Sequence, residues 1–239
     1  FNFLCYPLIT ITTYYIIKTI SLKSSFAKAI KYMLLSTFSF AIMNALVKFL
    51  IDYSTFQLVF FRSLGSLFIT YGFLKSQKID MLGNQKKLLI FRGLAGVISM
   101  ILFFLGIHYI NIGSAVTLRY VAPIFAGILA VFFLGEIIKP IQWIFFITSF
   151  IGVFFIKNYD PSGSNFGVLL VLLAAFFSAI NYIIISKIGK KDHPVVVVHY
   201  FMIISTVTGG IGSLFFWIKP NFLDLLLLIS LGIFGYFGQ

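Results

Sequence analysis

Residues 106–156 read GIHYINIGSAVTLRYVAPIFAGILAVFFLGEIIKPIQWIFFITSFIGVFFI and contain two apolar segments joined by a short polar turn. A helix needs about 20 mostly apolar residues to cross the hydrocarbon core of a bilayer. The segments 114–134 and 140–156 come close to that length. Lipid offers no hydrogen bonds to the backbone, so such segments are stable as helices. This stretch therefore predicts two consecutive membrane spans.

The same pattern continues in both directions along the chain. Turn residues such as Asp160-Pro161, His193-Pro194 and Lys219-Pro220 separate further apolar segments. The connections are short and leave no room for a separate soluble domain. We predict eight spans, at residues 29–51, 55–74, 88–110, 114–134, 140–156, 166–186, 194–218 and 222–239.

The composition supports an all-α membrane protein. Of the 239 residues, 60% are hydrophobic and only 10% are charged, whereas a soluble domain carries about 25% charged residues. The net charge of +12 comes from short basic runs between spans, which is typical of topology signals beside an anionic leaflet and not of a nucleic-acid-binding face. The single cysteine and three scattered histidines suggest no metal site, and we expect no cofactor.

The basic residues also predict an orientation, because cytoplasmic loops are enriched in lysine and arginine. With the residues before Ala29 placed in the cytoplasm and the spans alternating, the outer side receives only Lys157 and Lys219. We therefore predict a multi-pass protein of the cytoplasmic membrane. The inner side receives Lys18, Lys23, Lys28, Lys31, Lys75, Lys78, Lys86, Lys87, Arg92, Lys139, Lys187, Lys190 and Lys191.

The two ends of the chain resist assignment. Residues 1–17 are apolar and of borderline length for a span, so residues 1–28 are left open as a span, an interfacial segment or sequence outside the folded unit. The chain starts at Phe1 and ends at Gln239 inside an apolar stretch. We expect it to be a fragment of a longer protein.

A weak internal repeat relates the two halves. When the sequence is shifted along itself, Phe38 aligns with Phe176 and Gly93 aligns with Gly232. The shifts that produce these two alignments differ by only one residue. Each shift spans five helices, an odd number, so the second copy would be inverted in the membrane. We expect one five-helix unit at residues 29–157 and a second at residues 166–239 that ends in its third helix.

Residues 106–156 also resemble a known family, the EamA-type transporters of the drug/metabolite transporter superfamily. The resemblance rests on the small-residue start of the fourth span, the mid-span Pro123, the sequence Leu134-Gly135-Glu136, a short fifth span and Phe61-Arg62-Ser63 in the second. It implies ten helices in two inverted five-helix repeats that carry small metabolites through a central cavity. It also implies that helices nine and ten lie beyond this chain.

Three cations inside predicted spans are candidates for contact with substrate. Charges in a bilayer are costly and usually face a cavity or a partner. Lys48, Arg62 and Arg119 all lie in the predicted outer half, where together they would attract a carboxylate or phosphate. Lys48 could instead extend to the interface or pair with Asp52, one turn away.

Helical spacing extends this candidate site. Asn44 shares a face with Lys48, and Ser66 shares one with Arg62. In the second half, the shift that relates Phe38 to Phe176 places Tyr200 opposite Arg62, and the adjacent His199 is either a gating or proton-linked group or a hydrogen-bonded structural residue. The predicted substrate-binding residues are Asn44, Lys48, Arg62, Ser66, Arg119, Tyr120, Asn181, His199 and Tyr200.

Two further residues have predicted structural or gating roles. Pro123 removes a backbone hydrogen bond and is expected to kink the fourth span beside the cavity. Glu136 ends that span on the inner side, where it would pair with Lys139 or cap a helix. No carboxylate lies deep in a predicted span, so facilitated diffusion or exchange is the simplest mechanism.

The sequence favours a transporter that moves an anionic or zwitterionic metabolite, such as an amino acid or nucleotide-like compound, by alternating access. The alternatives are an exporter of neutral or aromatic drug-like compounds, a membrane-embedded enzyme and a channel. An enzyme would need paired intramembrane acids, an HExxH motif or a GxSxG turn, and none is present in the sequence. The expected partners are the lipid bilayer and the substrate, with no nucleic acid and no prediction of oligomeric state.

Overall fold

The computed structural model describes residues 5–135, residues 164–239 and, between them, residues 141, 143, 144, 146–148, 151, 152 and 155, with side chains described from Ala27 onward. The described residues are helical or in short connections, as predicted for an all-α protein. We number the helices in chain order. They are α1 (Cys5–Phe49), α2 (Thr55–Ser76), α3 (Lys86–Tyr109), α4 (Ile112–Arg119), α5 (Ala122–Leu134), α6 (Asn165–Ile188), α7 (Pro194–Phe215) and α8 (Phe222–Phe237).

The lengths of these helices confirm that the protein crosses a membrane several times. Six described segments, counting α4 and α5 as one, are at least 22 residues long and apolar enough to span a bilayer. Helix α8 has 16 residues and is shorter than its predicted span. Many large apolar side chains are exposed around the bundle, as expected where lipid covers the surface.

The amino-terminal segment does not form a separate element. Helix α1 runs without interruption from Cys5 to Phe49, a length of 45 residues. At 1.5 Å per residue such a helix is about twice as long as the bilayer core is thick. Residues 5–28 of the segment that the sequence analysis left unassigned therefore continue the helix of the first span.

The fourth span is broken beside Pro123. Helix α4 ends at Arg119 and α5 starts at Ala122. Proline has no N–H to donate to the carbonyl of Arg119 four residues earlier, and the amides of Tyr120 and Val121 bond to carbonyls only three residues back. Where the sequence predicts a kink, the structure has a short interruption, with Tyr120 and Val121 between the two helices.

The predicted fifth span is described only in part. Trp143, Phe146 and Thr148 are among its described residues, and all three are helical. Phe146 packs against Gly127 of α5. Glu136, predicted to have a structural or gating role, lies outside the described residues.

The bundle is held together by contacts between the two halves of the chain. Helix α3 packs against α6 and α7, α2 packs against α7 and α8, and α1 packs against α8. Leu58, Phe103, Phe104, Met202 and Leu231 are fully buried where these helices meet. Most of this core therefore forms only when residues from distant parts of the sequence come together.

The contacts on the two sides of the bundle match each other. Gly96 of α3 packs against Phe201 of α7, and Gly235 of α8 packs against Arg62 of α2. The shift that places Gly93 on Gly232 also carries Gly96 onto Gly235 and Arg62 onto Phe201. The sequence repeat thus has a counterpart in packing, with Phe201 instead of the predicted Tyr200 as the equivalent of Arg62.

Hydrogen bonds repeat in the same way. The Ser99 hydroxyl donates to the carbonyl oxygen of Ala174 over 2.8 Å, and the Ser36 hydroxyl donates to that of Gly238 over 2.7 Å. Ser36 aligns with Ala174, and Ser99 aligns with Gly238, when the sequence is shifted along itself by the same distance to within one residue. The α3–α6 contact and the α1–α8 contact therefore each contain a serine-to-carbonyl hydrogen bond at equivalent positions.

Candidate binding cavity

A cavity of about 470 Å³ opens between the two halves of the bundle. Small-molecule sites commonly have volumes of about 300–1,000 Å³. Residues of α1, α2, α3, α4, α6 and α7 line it, and the lining reaches Gly189, Asp192 and Pro194 at the predicted inner end. The cavity is therefore large enough for a small metabolite and lies where the helices of both halves meet.

Arg62 enters the cavity from α2. Its side chain is 4% exposed, and its Nε and Nη1 atoms lie 3.2 Å and 2.8 Å from the sulfurs of Met43 and Met100. The guanidinium also lies 5.7 Å from the centre of the Phe201 ring. Thioethers and aromatic faces are weak acceptors, so they hold the arginine in place without neutralising its charge.

Arg92 lines the same cavity from α3, although the sequence analysis assigned it to the inner-side topology charges. Its guanidinium lies 4.6 Å from the centre of the Phe201 ring. The Nε and Nη1 atoms are buried and have no hydrogen-bond partner. Arg92 lies inside the predicted span 88–110, and this position could have identified it. A cation inside a span is costly and usually faces a cavity or a partner, as was argued for Arg62.

Arg119, at the end of α4, is the third cation of the lining. Its guanidinium stacks over Phe103, 4.6 Å from the ring centre. The break before α5 places this residue at the end of a short helix instead of inside a continuous one. Three arginines from three different elements thus converge on one cavity.

The wall formed by α6 is polar but uncharged. Ser178 shares a 2.8 Å hydrogen bond with Ser99 of α3. The Asn181 amide donates to the backbone of Phe177, while its Oδ1 atom is buried without a partner. Tyr182 also lines the cavity. These groups can accept or donate hydrogen bonds to a ligand opposite the arginines.

None of the carboxylates that the structure describes forms an ion pair with the three arginines. Asp192 lines the cavity, but its two oxygens accept the backbone N–H groups of Asn84 and Gln85. Asp80 accepts the amide of Leu82, and Asp224 accepts the Tyr53 hydroxyl. Asp52 is exposed in the connection after α1. The cavity is therefore strongly positive within the described part of the chain.

Several predicted binding residues have other partners. Lys48 donates to the carbonyl oxygen of Ile107 over 2.7 Å, and Ser66 donates to that of Gly232 over 2.8 Å. Asn44 has a buried Oδ1 atom without a partner. None of the three is among the residues that line the cavity. Lys48 and Ser66 thus tie helices together in this structure.

The remaining predicted residues also lie outside the lining. Tyr120 is 69% exposed on the surface of the bundle. His199 Nδ1 lies 3.0 Å from the Thr70 hydroxyl, which agrees with the structural alternative for this histidine. The Tyr200 hydroxyl donates to the carbonyl oxygen of Leu82, and its neighbour Phe201 faces the arginines. Of the nine predicted substrate-binding residues, Arg62, Arg119 and Asn181 line the cavity.

Hydrogen bonds close the bundle at the predicted outer end. The Tyr53 hydroxyl donates to Asp224 over 2.6 Å, and Gln57 exchanges two hydrogen bonds with the backbone of Ile218. The first pair joins the connection after α1 to the start of α8. The hydrogen bond to Asp224, with burial and the negative charge of that carboxylate, raises the pKa of the Tyr53 phenol.

We expect Tyr53→Phe to lower the thermal unfolding temperature slightly at neutral pH, because the bond to a charged acceptor is lost. A raised folded-state pKa stabilises the fold fully below the unfolded value, about 10, and this stabilisation disappears as pH rises through the folded value. Thermal unfolding in detergent from neutral pH to pH about 11 should show the variant and the parent converging only at the alkaline end. Tyr71→Phe, at an exposed tyrosine of α2, is the control, and a difference that grows with pH would contradict this assignment.

Among the residues that the structure describes, no group of three histidine, cysteine or acidic side chains could hold a metal ion. The ligands that the lining residues can bind are instead anions, through the arginines, and uncharged polar or aromatic groups.

Comparison with known proteins identifies the family. The model of the EamA-like transporter family matches residues 27–157. The chain is 25% identical to the pseudopaline exporter of Pseudomonas aeruginosa over 209 residues, which are 86% of this chain and 73% of the exporter. It is 28% identical to the S-adenosylmethionine uptake transporter of Rickettsia bellii over 182 residues, 76% of this chain and 62% of that protein.

A third relative is human solute carrier family 35 member G1, which is 27% identical over 226 residues, 87% of this chain and 62% of the human protein. All three relatives are named as carriers of solutes and not as enzymes. The family match covers more than half of the chain, and the helices and cavity described above are those of a multi-pass membrane transporter. The chain belongs to the EamA-like transporter family.

Proposed function

We propose that this transporter moves a small anionic metabolite across the cytoplasmic membrane and binds it in the arginine-lined cavity. The observation that supports this most directly is that Arg62, Arg92 and Arg119 line one cavity, where no described carboxylate forms an ion pair with them. A charge that is taken out of water costs several kcal/mol when it is unpaired. An anionic substrate bound to the arginines would offset this free energy, and we therefore assign substrate binding to them.

Alternating access is the mechanism that we propose. Substrate sites of inverted-repeat transporters lie where the two repeats meet, and the repeats rock around them. Here the matching contacts at equivalent positions of the two halves support two related units, 29–157 and 166–239, on either side of the cavity. The predicted orientation places the connection after α1 outside and the connection after α2 inside.

A zwitterionic substrate is less well supported than an anionic one. An ammonium group would be repelled by the three arginines of the lining, where Asp192 is the single described carboxylate and already accepts two backbone amides. Phe104 and Phe201 could stack with an aromatic solute, so export of neutral aromatic compounds remains the second candidate. We propose that the protein is not an enzyme, because the relatives that it resembles are named as transporters or solute carriers.

The direction of transport is open, since one relative is named an exporter and another an uptake transporter. The proposal is tested with the full-length protein in liposomes and radiolabelled anionic, zwitterionic, cationic and neutral metabolites. We expect anions to exchange across the membrane. Arg119→Ala should reduce their flux about 30-fold, as expected when a charge that contacts a ligand is truncated.

The matched control is Lys219→Ala, which removes an exposed cation outside the cavity and should leave the flux unchanged. Membrane insertion and elution as a single species should be the same for both variants. Preferential transport of cations or neutral compounds, or normal anion flux in Arg119→Ala, would refute an anionic substrate.

A further inference from the structure

We infer that Asp192, bonded to the backbone of Asn84 and Gln85, is the inner latch of this transporter, and that this contact must break before the cavity opens to the inner side. The inference rests on the proposed function and adds the contact that controls access to its cavity. Three observations support it: the place of Asp192 in the lining, its hydrogen bonds, and a contact at the equivalent positions of the other end.

Asp192 lies at the predicted inner end of the cavity. Its side chain is 6% exposed, and it belongs to the lining together with Gly189 and Pro194 of the same connection. Tyr53 and Asp224, which join the helices at the predicted outer end, do not belong to that lining. The cavity therefore reaches the connection between α6 and α7 and does not reach the outer contact.

The hydrogen bonds of the inner latch join two connections from different halves of the chain. One carboxylate oxygen of Asp192 accepts the backbone N–H of Asn84, and the other accepts that of Gln85 over 3.1 Å. The Asn84 side chain donates to the carbonyl oxygen of Lys191. The Gln85 side chain donates to that of Ile188. Because hydrogen bonds to a charged acceptor are the stronger kind, Asp192 is the main contact between these connections.

An apolar cluster separate from the main core accompanies the inner latch. Its buried members include Leu74, Leu89 and Val196, at the end of α2 and the starts of α3 and α7. A Cβ atom at Gly83 would lie 2.8 Å from Leu89 and 2.9 Å from the Asp192 carboxylate, so the cluster and the latch meet at this glycine. Since the cluster is small, its opening exposes less apolar surface than opening the main core would.

The predicted outer end has a contact at the equivalent positions. The Tyr53 hydroxyl donates to the carboxylate of Asp224 over 2.6 Å. The sequence shift that relates α3 to α8 carries Tyr53 onto Asp192 and Gln85 onto Asp224. In each contact, a carboxylate joins the connection after the first helix of one unit to the start of the third helix of the other. We call the Tyr53–Asp224 contact the outer latch.

The inverted arrangement of the two units gives these contacts opposite roles. Equivalent contacts in inverted repeats lie at opposite ends of the membrane, and rocking of the repeats opens one end while it closes the other. The inner and outer latches are therefore broken in turn during transport. The structure has both contacts formed, and Asp192 separates the cavity from the inner side.

The first test measures from which side the cavity can be reached. Ser178→Cys places a thiol in the lining of the full-length protein, whose other cysteines are replaced by serine. The anionic reagent 2-sulfonatoethyl methanethiosulfonate is applied to either face of liposomes that hold the protein in one orientation. We expect Asp192→Ala to raise the modification rate from the side of the α2–α3 connection at least about 10-fold, because two hydrogen bonds to a charged acceptor are lost.

Two further variants make this result specific. Tyr53→Phe breaks the outer latch and should raise the modification rate from the opposite side. Asp80→Ala is the matched control for Asp192, because it removes an exposed carboxylate of the α2–α3 connection that accepts the amide of Leu82, and it should leave both rates unchanged. An unchanged inner rate in Asp192→Ala, or faster modification from the outer side, would overturn the inference.

A second experiment keeps Asp192 and holds the inner latch closed. Asn84→Cys combined with Lys191→Cys places thiols on the two connections, whose side chain and backbone are in contact, and a short bifunctional methanethiosulfonate reagent joins them. The crosslink should abolish anion exchange, and its reduction by dithiothreitol should restore exchange. Normal exchange by the crosslinked protein would show that this contact is static and would refute the latch.

The latch and the anionic substrate fail in different ways. Anion exchange that survives the crosslink would remove the latch and leave an anion transporter. Absence of anion exchange in the parent protein would refute the anionic substrate, whereas the modification rates of the Ser178→Cys thiol would still test the latch. A faster inner rate in Asp192→Ala supports the inference under either outcome.

Discussion

Arg62→Ala should reduce anion transport about 100-fold, the loss expected when a buried charge that contacts a charged partner is truncated. Arg62 is the most buried of the three cavity arginines, and among the described residues its guanidinium contacts two methionine sulfurs and an aromatic ring but forms no ion pair. The substrate is therefore its proposed counter-charge. The measurement is the initial rate of exchange in liposomes as a function of substrate concentration.

The stability of this variant should change little or rise. The lost cation–π contact with Phe201 is worth about 0.5–2 kcal/mol, and removal of an uncompensated buried charge offsets it. Transport and thermal unfolding temperature should therefore separate, with transport lost and folding kept. A variant that unfolds would instead assign Arg62 a structural role.

Two companion variants sharpen the result. Arg62→Lys keeps the charge but loses the planar fork that fits carboxylates, so we expect it to recover part of the transport rate. Lys75→Ala removes an exposed cation from the other end of α2 and should transport normally. Full activity in Arg62→Ala would exclude this residue from the substrate site.

Gly65→Leu should destabilise the bundle more than any surface substitution. A Cβ atom at Gly65 would lie 2.8 Å from the backbone Cα of Gly232, and one at Gly232 would lie 2.6 Å from the Cα of Gly65. Backbone atoms cannot rotate away as side chains can. Helices α2 and α8 would have to separate, which removes the close packing that small residues permit in membranes.

Overpacking of this kind costs about 1–3 kcal/mol, which corresponds to a fall in unfolding temperature of roughly 2–12 °C in a protein of this size. Gly72→Leu is the matched control, because it lies on the same helix and an added Cβ there meets nothing within 4 Å. Thermal unfolding and size-exclusion profiles in detergent should distinguish the two. Equal unfolding temperatures and elution profiles for the two variants would show that the α2–α8 contact adapts to the added side chain.

The helices themselves could be predicted from local sequence. Long apolar stretches and short polar joints predicted the spans, because lipid requires each segment to satisfy its own backbone hydrogen bonds. Pro123 predicted a kink in the fourth span, where the structure has two short helices. The family resemblance in residues 106–156 was confirmed by the family match. Prediction was less accurate at the ends, where α1 runs on from Cys5 and α7 stops at Phe215.

The cavity could be predicted only in part. Arg62 and Arg119 could be predicted because a cation inside a span is costly unless it faces a cavity or a partner. The structure places both in the cavity lining. Arg92 was assigned to topology because it lies near the start of its span, and Lys48 was assigned to the site although it donates to Ile107. Both differences depend on which neighbours a side chain meets across the bundle.

The sequence by itself determined that this chain crosses a membrane as helices, where those helices break, and that some of them carry cations costly to bury. Hydropathy and proline chemistry act within one segment, so they are readable without neighbours. Only the tertiary structure decided that Arg62, Arg92 and Arg119 face one cavity and that Phe201 is the packing equivalent of Arg62. Those facts depend on contacts between residues that lie far apart along the chain, which local sequence does not encode.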